Sequence, residues 1–124
     1  GALKVSGGVG INNDLHVGGD ITAFSSSDQN LKQNLNVIPN AIDKINAIAG
    51  YTFQWKPTAD SNVQPHAWSG ELDTGVIAQE IEALGLPGIT TTREDGVKAV
   101  RYEKLVPLLI QAIKELDDKV NSLS

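Results

Sequence analysis

The sequence predicts an α+β chain: a short β-structured stalk, then a small mixed domain with a β-hairpin and a long C-terminal helix. Three observations predict it. Leu3, Val5, Gly7 and Val9 recur twelve positions later as Leu15, Val17, Gly19 and Ile21. Asp95-Gly96 separates two β-rich runs, a strong hairpin signal. From Tyr102 to Leu123 the apolar residues alternate steps of four and three, the spacing of a helical seam.

A chain of 124 residues has the size of one ordinary domain, and 40% apolar content suffices for a modest core. With a stem of 24 residues set apart, about a hundred remain for that core, so association between copies would help stabilise it. The net charge is −5 and no block of Lys or Arg occurs, which leaves no footprint for nucleic acid as a partner. No apolar run is long enough to span a membrane, and no signal-peptide pattern opens the chain. The absence of Cys excludes thiol catalysis, disulfides and thiolate metal sites. His16 and His66 lack the spacing of metal ligands, so neither a metal nor a cofactor is expected. There is no Met, even at position 1, and the chain reads as a piece of something longer.

Taken in order, residues 1–24 alternate apolar side chains between glycine turns, as short strands do. One such repeat cannot bury its apolar face alone, so its neighbours are expected to be copies from other subunits. Ser25-Ser26-Ser27 interrupts the pattern, and residues 25–30 form a junction with an accessible, bendable backbone. From Leu31 to Ala49 the residues Leu35, Ile38, Ile42, Ile45 and Ile48 recur at threes and fours, predicting a helix with Pro39 in its first turn and Gly50 closing it. Tyr51-Thr52-Phe53-Gln54-Trp55 alternates like a half-buried strand. Residues 56–74, with Pro57, Pro65 and Gly70, read as an exposed loop that carries His66 and Trp68.

Gly75 to Leu84 reads as a short helix ended by Gly85, with Gln79-Glu80 as its polar pair. Ile89 to Thr92 and Val97 to Val100 are the hairpin strands. In the last segment Tyr102, Val106, Leu109, Ile113, Leu116, Val120 and Leu123 keep heptad spacing, with Pro107 near the start of the regular helix. Glu115 with Lys119, and Lys114 with Asp118, are expected to pair along its outer face, each worth about 0.3 kcal/mol. By composition, β-branched residues at one seam position with Leu at the other favour two strands.

Chemistry is concentrated at the junction, where Ser27 and Lys32 lie five positions apart. A Ser attacks a carbonyl only if a base takes its proton, and a Lys can be that base only if its surroundings lower its pKa from the reference near 10.4. Ser-Lys pairs are a known variant of Ser-His-Asp catalysis. Straight helices and strands both separate positions five apart, so a bend must bring the pair together. The alternative is structural: Ser26 followed three residues later by Gln29 matches a capping box.

Ser27-Asp28-x-x-Leu31-Lys32-x-Asn34-Leu35 resembles the opening of the self-cleaving intramolecular chaperone domain at the C-terminus of phage tailspikes and tail fibres, the endosialidase tailspikes among them. Leu35 to Trp55, Gly75-Val76-Ile77-Ala78-Gln79-Glu80 and Val100-Arg101-Tyr102 fit the same pattern in order, so the resemblance covers residues 27–124. It implies a single-turnover serine autoprotease with Ser27 as nucleophile, Lys32 as general base and the Ser26–Ser27 bond as the cleavage site. Where the family often carries a basic residue, this chain has Asn30.

The resemblance further implies a homotrimer. Its C-terminal helix, residues 102–124, would form a three-stranded coiled coil through Leu109, Ile113, Leu116, Val120 and Leu123, and the stalk would be trimeric too. The implied partner is the upstream fibre or tailspike stalk. The implied place is the tail of a virion assembled in the host cytoplasm, with the chaperone domain released after cleavage. A second reading keeps the trimer without the chemistry, as a tip domain that stays attached to the fibre. Carbohydrate hydrolysis is disfavoured, because no acid pair with a surrounding aromatic cleft is visible.

Overall fold

The computed structural model describes residues 1–57 and 70–123. It divides into two compact units, Gly1–Leu35 and Asn36–Ser124. Pro65, His66 and Trp68 of the expected loop lie outside the described residues.

In the first unit the regular element is one turn of 3-10 helix, Gln29–Leu31. The repeat before it forms no strand within the single chain, and Leu3, Val5, Val9, Leu15, Val17 and Ile21 are exposed. A strand needs a neighbour for its N–H and C=O groups.

Among its described residues the second unit is a mixed α+β arrangement of two hairpins and three α-helices. Helix α1, Ala41–Asn46, is much shorter than the apolar spacing from Leu31 to Ala49 predicts. Proline disfavours helical backbone in the residue before it, and Pro39 therefore stops the helix from starting earlier. Asn34 and Asn40 take left-handed backbone, with φ of 55° and 53°, which breaks the run twice more. Pro39 thus precedes α1 rather than sitting in its first turn, and Gly50 lies beyond the C-cap Ala47.

Strand β1, Tyr51–Gln54, forms where the aromatic alternation predicts it. It pairs antiparallel with β2, Leu72–Gly75, in the register Tyr51↔Gly75 to Gln54↔Leu72. The end of the expected loop and the start of the expected second helix are thus a strand. Leu72-Asp73-Thr74-Gly75 carries no alternation of its own, and pairing with β1 decides its state. Phe53 and Trp55 are half-buried and meet edge to face, with ring centroids 5.0 Å apart. Gly75 is required by packing, since a Cβ there would collide with the Tyr102 hydroxyl, which accepts the Val76 N–H at 3.1 Å.

Helix α2 is Ala78–Glu82, and Gly85 follows it at φ +73°. It packs on the second hairpin, formed by β3 (Thr90–Thr92) and β4 (Lys98–Val100). Their pairing runs from Thr90↔Val100 to Thr92↔Lys98, and Gly96 supplies the positive φ that the Asp-Gly turn requires. Lys98 Nζ reaches Glu82 Oε2 at 2.9 Å and Thr92 Oγ1 at 2.9 Å, tying the hairpin to α2.

A 3-10 turn, Tyr102–Leu105, leads into helix α3, Val106–Ser122, whose first turn holds Pro107. Tyr102 therefore lies outside the regular helix and serves the packing at Gly75. The buried apolar core consists of Ala41, Ile81, Ile89 and Leu108 among the described residues.

One contact here could not be read from local spacing. Glu115 does not pair with Lys119; its Oε2 accepts the Ala41 N–H at 2.7 Å and its Oε1 the Ile42 N–H at 3.2 Å. Asn40 offers α1 no side-chain cap, so a carboxylate from α3 supplies it across 74 positions. These two backbone N–H groups hold the Glu115 carboxyl below its usual range, with burial opposing them and Lys119 and Lys44 assisting.

A depressed carboxylate stabilises the fold above its unfolded pKa and loses that contribution as pH falls through the folded value. Melting curves from pH 7 to pH 3 should therefore show the wild-type advantage over Glu115→Gln present at neutral pH and shrinking below about pH 4.3, the ordinary glutamate value. Parallel curves would show that the carboxylate charge is not what caps α1.

Candidate active site

At the junction the local backbone is set by Asp28. With φ −65° and ψ 132° it is extended, and its Oδ1 accepts the Asn30 N–H at 2.9 Å. This is the N-cap interaction of the 3-10 turn, whose backbone bonds run from Leu31 N to Asp28 O and from Lys32 N to Gln29 O, each at 3.1 Å. Lys32 leaves the turn in extended backbone, φ −119° and ψ 146°.

One tight turn thus supplies the bend that a pair five positions apart needs. Lys32 Nζ donates to Ser27 Oγ at 2.6 Å. The cap at this turn is therefore Asp28, whereas the Ser26–Gln29 spacing assigned it to Ser26. Ser27 and Lys32 are both solvent-exposed in the single chain. The signal for Asp28 was present in the sequence, because an Asp two residues before an unpaired helical N–H is an ordinary cap.

Glu80, in the second unit, takes the Tyr51 hydroxyl on its Oε2 at 2.7 Å. That bond, with burial and the carboxylate charge, pushes the Tyr51 phenol above its ordinary value. The other oxygen, Oε1, is buried with no hydrogen-bond partner among the described residues.

Helix α3 presents two faces with different roles. Leu108, Gln111, Ala112 and Glu115 are buried or half-buried on the side that packs against α1. Leu109, Ile113, Leu116, Val120 and Leu123 form a separate stripe, exposed by 47% to 87%. So long an apolar row on one helix, beside so small a core, is a surface short of a partner.

A peptidase-family model described as chaperone of endosialidase matches residues 27–90. The match begins at Ser27. Two curated phage proteins are similar over most of the chain. Long tail fiber protein Gp37 of Salmonella phage S16 is 30% identical over 101 residues, covering 79% of this chain and 13% of the relative. Long tail fiber protein Gp37 of Escherichia phage AR1 is 33% identical over 94 residues, covering 74% and 8%. The chain thus spans a small fraction of the length of the relatives it matches.

Proposed function

Because this chain belongs to the chaperone-of-endosialidase family, we propose that it trimerises and registers a phage tail fibre or tailspike, then releases itself by cutting before Ser27. The observation that carries the cutting step is the 2.6 Å contact from Lys32 Nζ to Ser27 Oγ, together with the assignment of the cap to Asp28. The Ser27 hydroxyl is thereby held against a side chain that can take its proton when neutral. The tail-fibre setting is supported by the names of the two phage relatives.

The chemistry follows from the pair. A lysine in water carries its proton at neutral pH, and burial disfavours that charged form. Assembly of three chains around the junction would bury Ser27 and Lys32, which are exposed in one chain alone. Lys32, as the neutral amine, takes the Ser27 hydroxyl proton. Oγ forms a bond to the carbonyl carbon of Ser26, and the bond from that carbon to the Ser27 nitrogen breaks. The proton passes to the leaving nitrogen, which becomes a free amine. Water then hydrolyses the ester, leaving a Ser26 carboxylate and restoring the Ser27 hydroxyl.

The remainder of the chain supplies assembly. Three copies of α3 meet along Leu109, Ile113, Leu116, Val120 and Leu123, and the stalk repeats of residues 1–24 are thereby held close together. Strand pairing between chains becomes nearly intramolecular. Removing the chaperone afterwards leaves a stalk whose unfolding cannot readily be reversed, a kinetically trapped fibre on the virion tail, assembled in the host cytoplasm.

Intact mass after folding at neutral pH tests the proposal. The wild-type chain should separate into two pieces and Ser27→Ala should stay whole, both as trimers. A wild-type trimer that remains whole would instead make this a tip domain that stays attached.

A further inference from the structure

Resting on the self-cleavage reading above, we propose that Asp28 is the positioning residue of the reaction: its side chain fixes the turn that brings Lys32 to Ser27, and its charge takes no part. Asp28 Oδ1 accepts the Asn30 N–H at 2.9 Å, inside the six-residue segment that the reacting pair closes. The turn holds only two backbone bonds, from Leu31 N to Asp28 O and from Lys32 N to Gln29 O. With the side-chain bond gone, the Asn30 N–H loses its partner and so short a turn has little to keep it closed. The fraction of chains with Nζ at Oγ then falls, and the rate falls with it.

Asp28 Oδ1 is taken up by the Asn30 N–H, and asparagine caps as well as aspartate, so the cap can be kept while the charge is removed.

The experiment follows first-order self-cleavage of the full chain in wild type, Asp28→Ala and Asp28→Asn from pH 6 to pH 9, with oligomeric mass and melting temperature measured on each. Asp28→Ala should cleave roughly tenfold more slowly than wild type while remaining a trimer with the same melting temperature. Asp28→Asn should restore the wild-type rate. Both variants remove the same charge, so the ratio of their rates should be constant across pH. The proposal is overturned if Asp28→Ala cleaves as fast as wild type, or if it loses the trimer. It is also overturned if Asp28→Asn is as slow as Asp28→Ala, which would make the carboxylate itself part of the reacting group. If wild type does not cleave, the self-cleavage reading fails along with it; if wild type cleaves and only the Asp28 pattern departs, this inference fails alone.

Discussion

Replacing Lys32 by arginine is expected to stop the proposed self-cleavage while leaving the proposed trimer assembled. Arginine keeps the positive charge, the reach and the ability to donate to Ser27 Oγ, so a contact that only braces the turn would survive the change. What arginine cannot do is give up its proton in a protein, and without a neutral form it cannot accept one. General-base catalysis contributes about 10²–10⁴-fold, and Lys32→Arg should lose that much of the rate. Lys32→Ala should lose a similar factor for a different reason, since the base is absent altogether. A Lys32→Arg chain that cleaves at the wild-type rate would reduce the 2.6 Å contact to a structural one.

If three copies meet along the α3 stripe as proposed, Leu116→Asp is expected to leave single chains and to prevent the proposed cleavage as a consequence. Leu116 is 55% exposed in one chain and lies within the apolar stripe of α3, whereas Glu115 beside it faces α1. In a three-stranded seam each copy would forfeit about 2 kcal/mol of apolar burial. Each would also place a carboxylate among apolar neighbours at a cost of several kcal/mol. Three such losses in one assembly exceed what a short coil can withstand. The fold of the single chain should persist, because Leu108 and Glu115 make their contacts from another face of the helix. Equilibrium sedimentation distinguishes the outcomes. A Leu116→Asp chain that sediments as three copies would remove the stripe from the interface.

Much of this arrangement is legible in the sequence. The Asp95-Gly96 hairpin, the strand at Tyr51 and the helix after Pro107 were readable because each is decided by residues within a few positions of one another. The helix expected from Leu31 was not, because its spacing is helical while Asn34, Pro39 and Asn40 impose backbone that a helix cannot use. Spacing reports which side chains could share a face; it does not report where the chain turns. Strand β2 was hidden for the opposite reason, since Leu72-Asp73-Thr74-Gly75 is a strand only by virtue of its partner.

The junction shows the same division. The spacing of Ser27 and Lys32 is plain in the sequence, but the turn that brings them together depends on the Asp28 cap, whereas the Ser26–Gln29 spacing points to Ser26. Glu115 had no local signal at all, because its partners lie 74 and 73 positions away. Exposure of the α3 stripe is likewise a property of packing, as it depends on Leu108 and Glu115 having taken the other face.

The most direct test is amino-terminal sequencing of the fragments formed when the wild-type chain assembles. Self-cleavage by the Ser27–Lys32 pair predicts one new terminus, reading Ser27-Asp28-Gln29-Asn30-Leu31-Lys32, absent from Ser27→Ala. A wild-type trimer with no new terminus, or with one at any other position, would contradict it.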